Sequence, residues 1–222
     1  SYGTLTAPIS MTDSDFDHDA YLERIALPAP PPRTPDGLTA LHQAQHHAIP
    51  FENFDIQLGR PLDLSTAGLV RTLVNSPRGG YCFELNGLLL AALRAFGFDA
   101  RPLLARVHLT GVATPRTHQV TLVALDGRDW LVDAGFGAES PAAPMLHEIN
   151  RAETLGGVAH RLVHHPLGTM LEAQREGSVW QPLYSFDLTP ALAADIACGN
   201  HYTTTHPECF FTFTRVASLP HD

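Results

Sequence analysis

The sequence predicts an α+β fold, with a helical N-terminal unit leading into an antiparallel sheet or small β-barrel. Three observations carry this reading. Apolar residues recur at helical spacing as far as Gly97, the pattern then becomes extended, and turn signals punctuate the second half at short intervals.

The opening SYGTLTAPIS, residues 1–10, reads as an extension ahead of Met11 and is given no structural role. In SDFDHDAYLERIAL, polar caps precede Tyr21, Leu22 and Ile25, and PAPPPRTPDG breaks the helix. A second helix is expected from about Asp36, with Leu38, Leu41, Ala44 and Ala48 on one stripe until Pro50. STAGLVRTLVNSP predicts a third, capped by Ser65 or Thr66, striped by Leu69, Val70, Leu73 and Val74, and stopped by Pro77. CFELNGLLLAALRAFG is the strongest, burying Leu85, Leu88, Leu89, Ala92, Leu93 and Phe96 before Gly97. RPLLARVHL, THQVTLVAL, WLVDAGF, HRLVHH, MLEAQRE and VWQPLYSF then read as strands, separated by Asp126-Gly127, Pro166-Leu167-Gly168 and Glu176-Gly177. ALAADIAC reads as a short helix. The units so divided are residues 11–98, 99–189 and 190–222.

A formal charge of −9 and scattered arginines argue against nucleic acid and favour a small-molecule partner. No apolar run reaches the roughly 18 residues that span a bilayer, so no membrane association is expected. Three cysteines, an odd and widely spaced set, suit a reducing compartment, and a cytoplasmic location is expected.

Cys82 starts the strongest helix, after Arg78-Gly79-Gly80-Tyr81. Free N–H groups and the positive end of the dipole there favour a thiolate and can hold an oxyanion, and the glycines admit a substrate close to the backbone. A buried structural cysteine is the competing reading. A nucleophile needs a base and the base an orienter. If Asp126-Gly127 is a two-residue loop, Leu125 faces Arg128, residue 120 lies opposite 133, and His118 and Asp133 become diagonal neighbours on one face. A four-residue loop separates them further, and a three-residue loop puts them on opposite faces. An aspartate inside the apolar WLVDAGF wants a partner, because an unpaired buried charge is costly. His42 and His46, four apart on a helix, are expected to face solvent, and His160, His164 and His165 are assigned no chemistry. No metal site is expected.

IPFENFDIQLGRPLDL (49–64), RGGYCFELNGLLLAAL (78–93), THQVTLV (117–123), VDAGFG (132–137), PLYSFDLTP and NHYTTTHP together resemble the arylamine N-acetyltransferases, from about Tyr21 onward. The resemblance implies a papain-like cysteine-transferase core, a helical domain, a β-barrel domain and a C-terminal α/β lid. It implies ping-pong chemistry in which acetyl-CoA, a co-substrate, acylates the cysteine and an arylamine or arylhydrazine takes the acetyl group, as in xenobiotic metabolism. By position, Cys82 is then the nucleophile, His118 the base and Asp133 its orienter, with the Cys–His pair resting as thiolate and imidazolium. Arg78 and Glu52 become an ion pair behind Cys82, Phe51, Thr117 and Phe136 border the substrate, and Gly135, Gly137 and Tyr202 lie along CoA. Family members continue beyond the THP motif, so the lid is expected to be largely absent, and Cys209 stands where they carry serine. A polyketide-type amide synthase, a cysteine hydrolase or transglutaminase with the same triad, and an inactive binding module are the alternatives.

Overall fold

Helices and a curved antiparallel sheet share one long helix at the centre of the computed structural model, which describes residues 16–155 and 157–220. The first ten residues lie outside that range. Helix α1 (His18–Arg24) starts at Asp17, whose carboxylate accepts the Ala20 N–H, and α2 (Pro35–Ala48) starts at Thr34 with proline in its first turn. After the two-residue strand β1 (Phe51–Glu52) comes α3 (Phe54–Gln57), a single turn with no periodic signature.

The expected helix over STAGLVRTLV departs from regularity. Four residues, α4 (Thr66–Leu69), pass into a π-helical turn over Val70–Val74, closed by Asn75 N–H on the Val70 carbonyl. The wider turn lets Leu69, Val70, Leu73 and Val74 all face the core. Helix α5 (Cys82–Ala95) is the central element, buried along almost its whole length.

Eight strands follow in the order β5-β4-β3-β2-β9-β8-β7-β6, every neighbouring pair antiparallel, as a nearly closed barrel. They are β2 (Asp99–Val107), β3 (Arg116–Leu125), β4 (Arg128–Val132), β5 (Met145–Leu146), β6 (Ala152–Leu155), β7 (Val158–His165), β8 (Gly168–Arg175) and β9 (Gln181–Phe186). Strand β5, two residues long, and β6, four residues of mixed polarity, are too short to be read from pattern. Helix α6 (Ala193–Thr205) is longer than the ALAADIAC stretch suggests, and α7 (Phe210–Phe213) precedes β10 (Ala217–Ser218), which pairs with β1.

Alternation along the strands divides the interior in two. Leu104, Val123, Val132 and Ala134 pack on α5 with the helical core, whereas Leu103, Ala105, Val120, Leu122 and Leu131 fill the barrel. No helix among the described residues is long and apolar enough to cross a membrane.

Candidate active site

The β3–β4 hairpin has a two-residue loop: Leu125 pairs with Arg128, and Asp126 and Gly127 both take positive φ, as a type I′ turn requires. That register puts His118 and Asp133 on the barrel-facing side. His118 Nε2 donates to Asp133 Oδ2 at 2.8 Å, and both side chains are buried. Burial would raise the Asp133 carboxyl. The charge and hydrogen bond of His118, with those from Asn86 and the Gly135 N–H, overcome it and hold the group at about 2.

Cys82 reaches this pair from α5. Its Sγ lies 3.7 Å from the Thr117 carbonyl, the residue before His118. Thr117 is the extra residue of a β-bulge, since Ala105 pairs with His118 and Arg106 with Arg116, so its carbonyl is freed from the ladder. Asn86, one turn after Cys82, ties the elements together. Its Nδ2 donates to Asp133 Oδ1 at 2.8 Å and to the Gln119 carbonyl at 2.6 Å, and its Oδ1 accepts the Ala134 N–H at 3.1 Å.

The electrostatics differ from the expectation of a helix-stabilised thiolate. Cys82 is 4% exposed. Burial pushes its thiol up, the Asp133 charge adds to the rise, and the N–H groups of Phe83 and Gln119 only partly offset it. A thiolate here needs an adjacent cation, which a protonated His118 imidazole can supply.

The loop before Cys82 is clamped from behind. Glu52 Oε1 accepts from Arg78 Nη2 at 2.8 Å and from Nε at 3.1 Å, and Arg78 Nη1 reaches Asp55 at 3.1 Å. Glu52 N–H donates to the Gly80 carbonyl. The Gly-Gly pair serves this packing: a Cβ on Gly79 would sit 2.1 Å from the Pro50 carbonyl oxygen, and one on Gly80 would sit 2.8 Å from Glu84. Glu84 closes a capping box on the Tyr81 N–H, and burial raises its carboxyl to about 7.

Phe136 sets its ring 4.9 Å from His118 in a T-shaped contact. Gly135 is a packing position: its N–H is taken by Asp133 Oδ1, and a Cβ there would lie 2.7 Å from Asn86 Nδ2 and 3.2 Å from Cys82 Cα. Phe51 packs on Phe211, and a Cβ on Gly137 would lie 3.8 Å from the Phe51 ring. Tyr202 stacks on His206 and, with Thr117, Arg116 and Cys198, lines a cleft of about 490 Å³ between β3 and α6.

His42 and His46 do not face solvent. His42 is 0% exposed and His46 is buried, and burial lowers them to about 3 and about 4. Helix α2 turns this face inward, and both histidines lie in the field of Asp133. Among the described residues no cluster of three His, Cys, Asp or Glu side chains is arranged to hold a metal. Asn86, Asp55 and Tyr184 belong to the site; each lies inside one of the motifs quoted above, but no role is assigned to it from the sequence. For Asn86 the available signal is an amide four residues from Cys82 on an apolar helix.

The N-acetyltransferase family model matches residues 35–222. An arylamine N-acetyltransferase of Mycolicibacterium smegmatis is 39% identical over 203 residues, 88% of this chain and 74% of that protein. The chain belongs to the arylamine N-acetyltransferase family. A Salmonella typhimurium relative, named arylamine N-acetyltransferase / N-hydroxyarylamine O-acetyltransferase, is 38% identical over 180 residues, 80% of this chain. The match spans 64% of that relative's length, under two thirds. The Mycobacterium marinum arylamine N-acetyltransferase solved in complex with CoA superposes with a TM-score of 0.87 at 35% identity, over 93% of this chain and 78% of that one.

Proposed function

We propose that this member of the family transfers an acetyl group from acetyl-CoA to an arylamine or arylhydrazine through a thioester on Cys82. The observation that carries the reading is the buried 2.8 Å contact of His118 with Asp133, directly beside the helix start that bears Cys82.

In the first half-reaction the Cys82 thiolate attacks the acetyl carbonyl carbon. The new S–C bond forms, the bond to the CoA sulfur breaks, and CoA leaves with the proton of the His118 imidazolium. In the second, the amine nitrogen attacks the thioester while neutral His118 takes the amine proton, and the Cys82–carbon bond breaks to restore thiolate and imidazolium. Asp133 keeps the imidazole turned and stabilises its cation throughout. Phe136 and Phe51 offer apolar faces suited to an aromatic acceptor, and the cleft shared by Thr117 and Tyr202 is an entry route for the acyl donor. A cytoplasmic setting suits a mechanism that needs a free thiol.

The test is to mix the protein with acetyl-CoA, map acetyl thioesters by mass spectrometry, then add an arylhydrazine. An adduct at Cys82 that the hydrazine discharges, and that Cys82→Ser lacks, supports the reading. Intact CoA with unmodified Cys82 overturns it, and release of acetate without an amine points to a hydrolase.

A further inference from the structure

Helix α6 forms one wall of the cleft described above, and it meets the start of α5 on both sides of Cys82. Along its 13 residues only Gly199 and Thr203 are buried, so few contacts hold it in place. Gly199 lies against the barrel and α5 at once: a Cβ there would sit 2.8 Å from the Arg116 carbonyl oxygen and 2.9 Å from Phe83 Cζ. Asn200 follows, and its Oδ1 accepts the Tyr81 hydroxyl. The residues before and after Cys82 therefore both touch α6, one through a hydrogen bond and the other through close packing.

Tyr81 is built to carry position from one helix to the other. It is 0% exposed, with its ring 5.6 Å from Phe83 and 6.0 Å from Phe211. Its backbone is the N-cap of α5: the N–H donates to Glu84, and the carbonyl accepts the Glu84 and Leu85 N–H groups at 3.0 and 2.9 Å. Burial keeps the phenol protonated, so it donates. Arg116 and Thr117 line the cleft opposite α6, and the Thr117 carbonyl lies 3.7 Å from Cys82 Sγ. A displacement of α6 thus alters the distance from its wall to the sulfur. Helix α5 is not disturbed by it, because Asn86 and Glu84 hold that helix start independently.

We propose that Asn200 is a positioning residue for the acyl donor: by accepting the Tyr81 hydroxyl it keeps the α6 wall of the cleft in register with Cys82. This rests on Cys82 taking the acetyl group and on the cleft admitting acetyl-CoA. The hydrogen bond then matters for a donor that fills the cleft, and not for one too small to lean on α6.

The experiment compares two donors on the same preparations of the parent, Asn200→Ala, Tyr81→Phe and the double variant. One is acetyl-CoA. The other is p-nitrophenyl acetate, whose ester C–O bond breaks as the Cys82 S–C bond forms, releasing p-nitrophenolate. Acetylation of Cys82 is resolved from Cys198 and Cys209 by peptide mass spectrometry, and an unfolded fraction cancels in the ratio of the two rate constants. Each single variant is expected to lower the second-order rate constant for acetyl-CoA about tenfold while that for the ester stays within about twofold of the parent. The double variant is expected to be no worse than either single one, because the two groups make one bond. A variant that is merely less stable shows a lower thermal midpoint with the parent's ratio. An unchanged ratio in either single variant, or losses that add in the double, overturns the proposal. A parent acetylated at Cys82 by the ester but not by acetyl-CoA overturns the donor reading and this inference with it, and a parent acetylated by neither shows that Cys82 is not the nucleophile.

Discussion

Asn86 Nδ2 stands 2.8 Å from Asp133 Oδ1, joining the helix that carries Cys82 to the strand end that orients His118. Two elements 47 residues apart are thereby held in one geometry. The same amide also bonds the backbone of β3 and of Ala134, so a single side chain sets the spacing of Cys82, His118 and Asp133, the residues of the proposed triad.

Asn86→Ala should therefore cost about 3 kcal/mol, because it leaves buried donors and acceptors unmet. It should also lower the proposed transfer at least about tenfold, since a misplaced base costs that much. Asp133 sits near 2, below its ordinary 3.8, so its contribution to stability is present above the unfolded value and lost as pH falls toward 2. The deficit of Asn86→Ala in urea denaturation should accordingly be larger at pH 6 than at pH 3. An equal deficit at both would show that the amide does not act through Asp133.

Glu84 has the opposite linkage. Its carboxyl is raised to about 7 from 4.5, so the folded state holds its proton more tightly, and the penalty on folding grows as pH rises through that window. Glu84→Gln keeps an acceptor for the Tyr81 N–H and removes the charge. The variant should gain about 1–2 kcal/mol over the parent at pH 8 and little at pH 4. A thermal shift that does not change between these pH values would place the raised carboxyl in doubt.

Gly135→Ala tests the packing between β4 and α5. A methyl group there overlaps Asn86 and crowds Cys82, with backbone and a hydrogen-bonded amide as the obstacles. A loss of about 2 kcal/mol is expected, as for other overpacked core positions. Iodoacetamide labelling of Cys82 should slow along with it, whereas Cys198 should be unaffected. Unchanged melting would mean that the strand end shifts freely.

Arg78→Met removes the cation opposite Glu52, which is buried, and Asp55. Leaving a buried carboxylate without its partner should cost about 2–4 kcal/mol. Arg78→Met combined with Glu52→Gln should recover part of that loss, and a double-mutant cycle measures it. Strict additivity would show that the clamp contributes nothing beyond its separate residues.

Much of the architecture is legible in the sequence because helix and strand periods are local. Leu85, Leu88 and Leu89 announce α5, and the apolar run from Val120 to Leu125 with Asp126-Gly127 behind it announces the hairpin, whose parity already allows His118 and Asp133 to meet. The type and order of Cys82, His118 and Asp133 likewise belong to the sequence. The π-turn over Val70–Val74, the bulge at Thr117 and the burial of His42 and His46 do not, because each depends on what packs opposite. Only the tertiary structure decided that Gly79 and Gly135 serve close packing, that Asn86 bridges α5 to Asp133, and that the Cys82 thiol is pushed up despite its helix start. Desolvation and long-range hydrogen bonding are set by residues distant in the chain, and no local pattern encodes them.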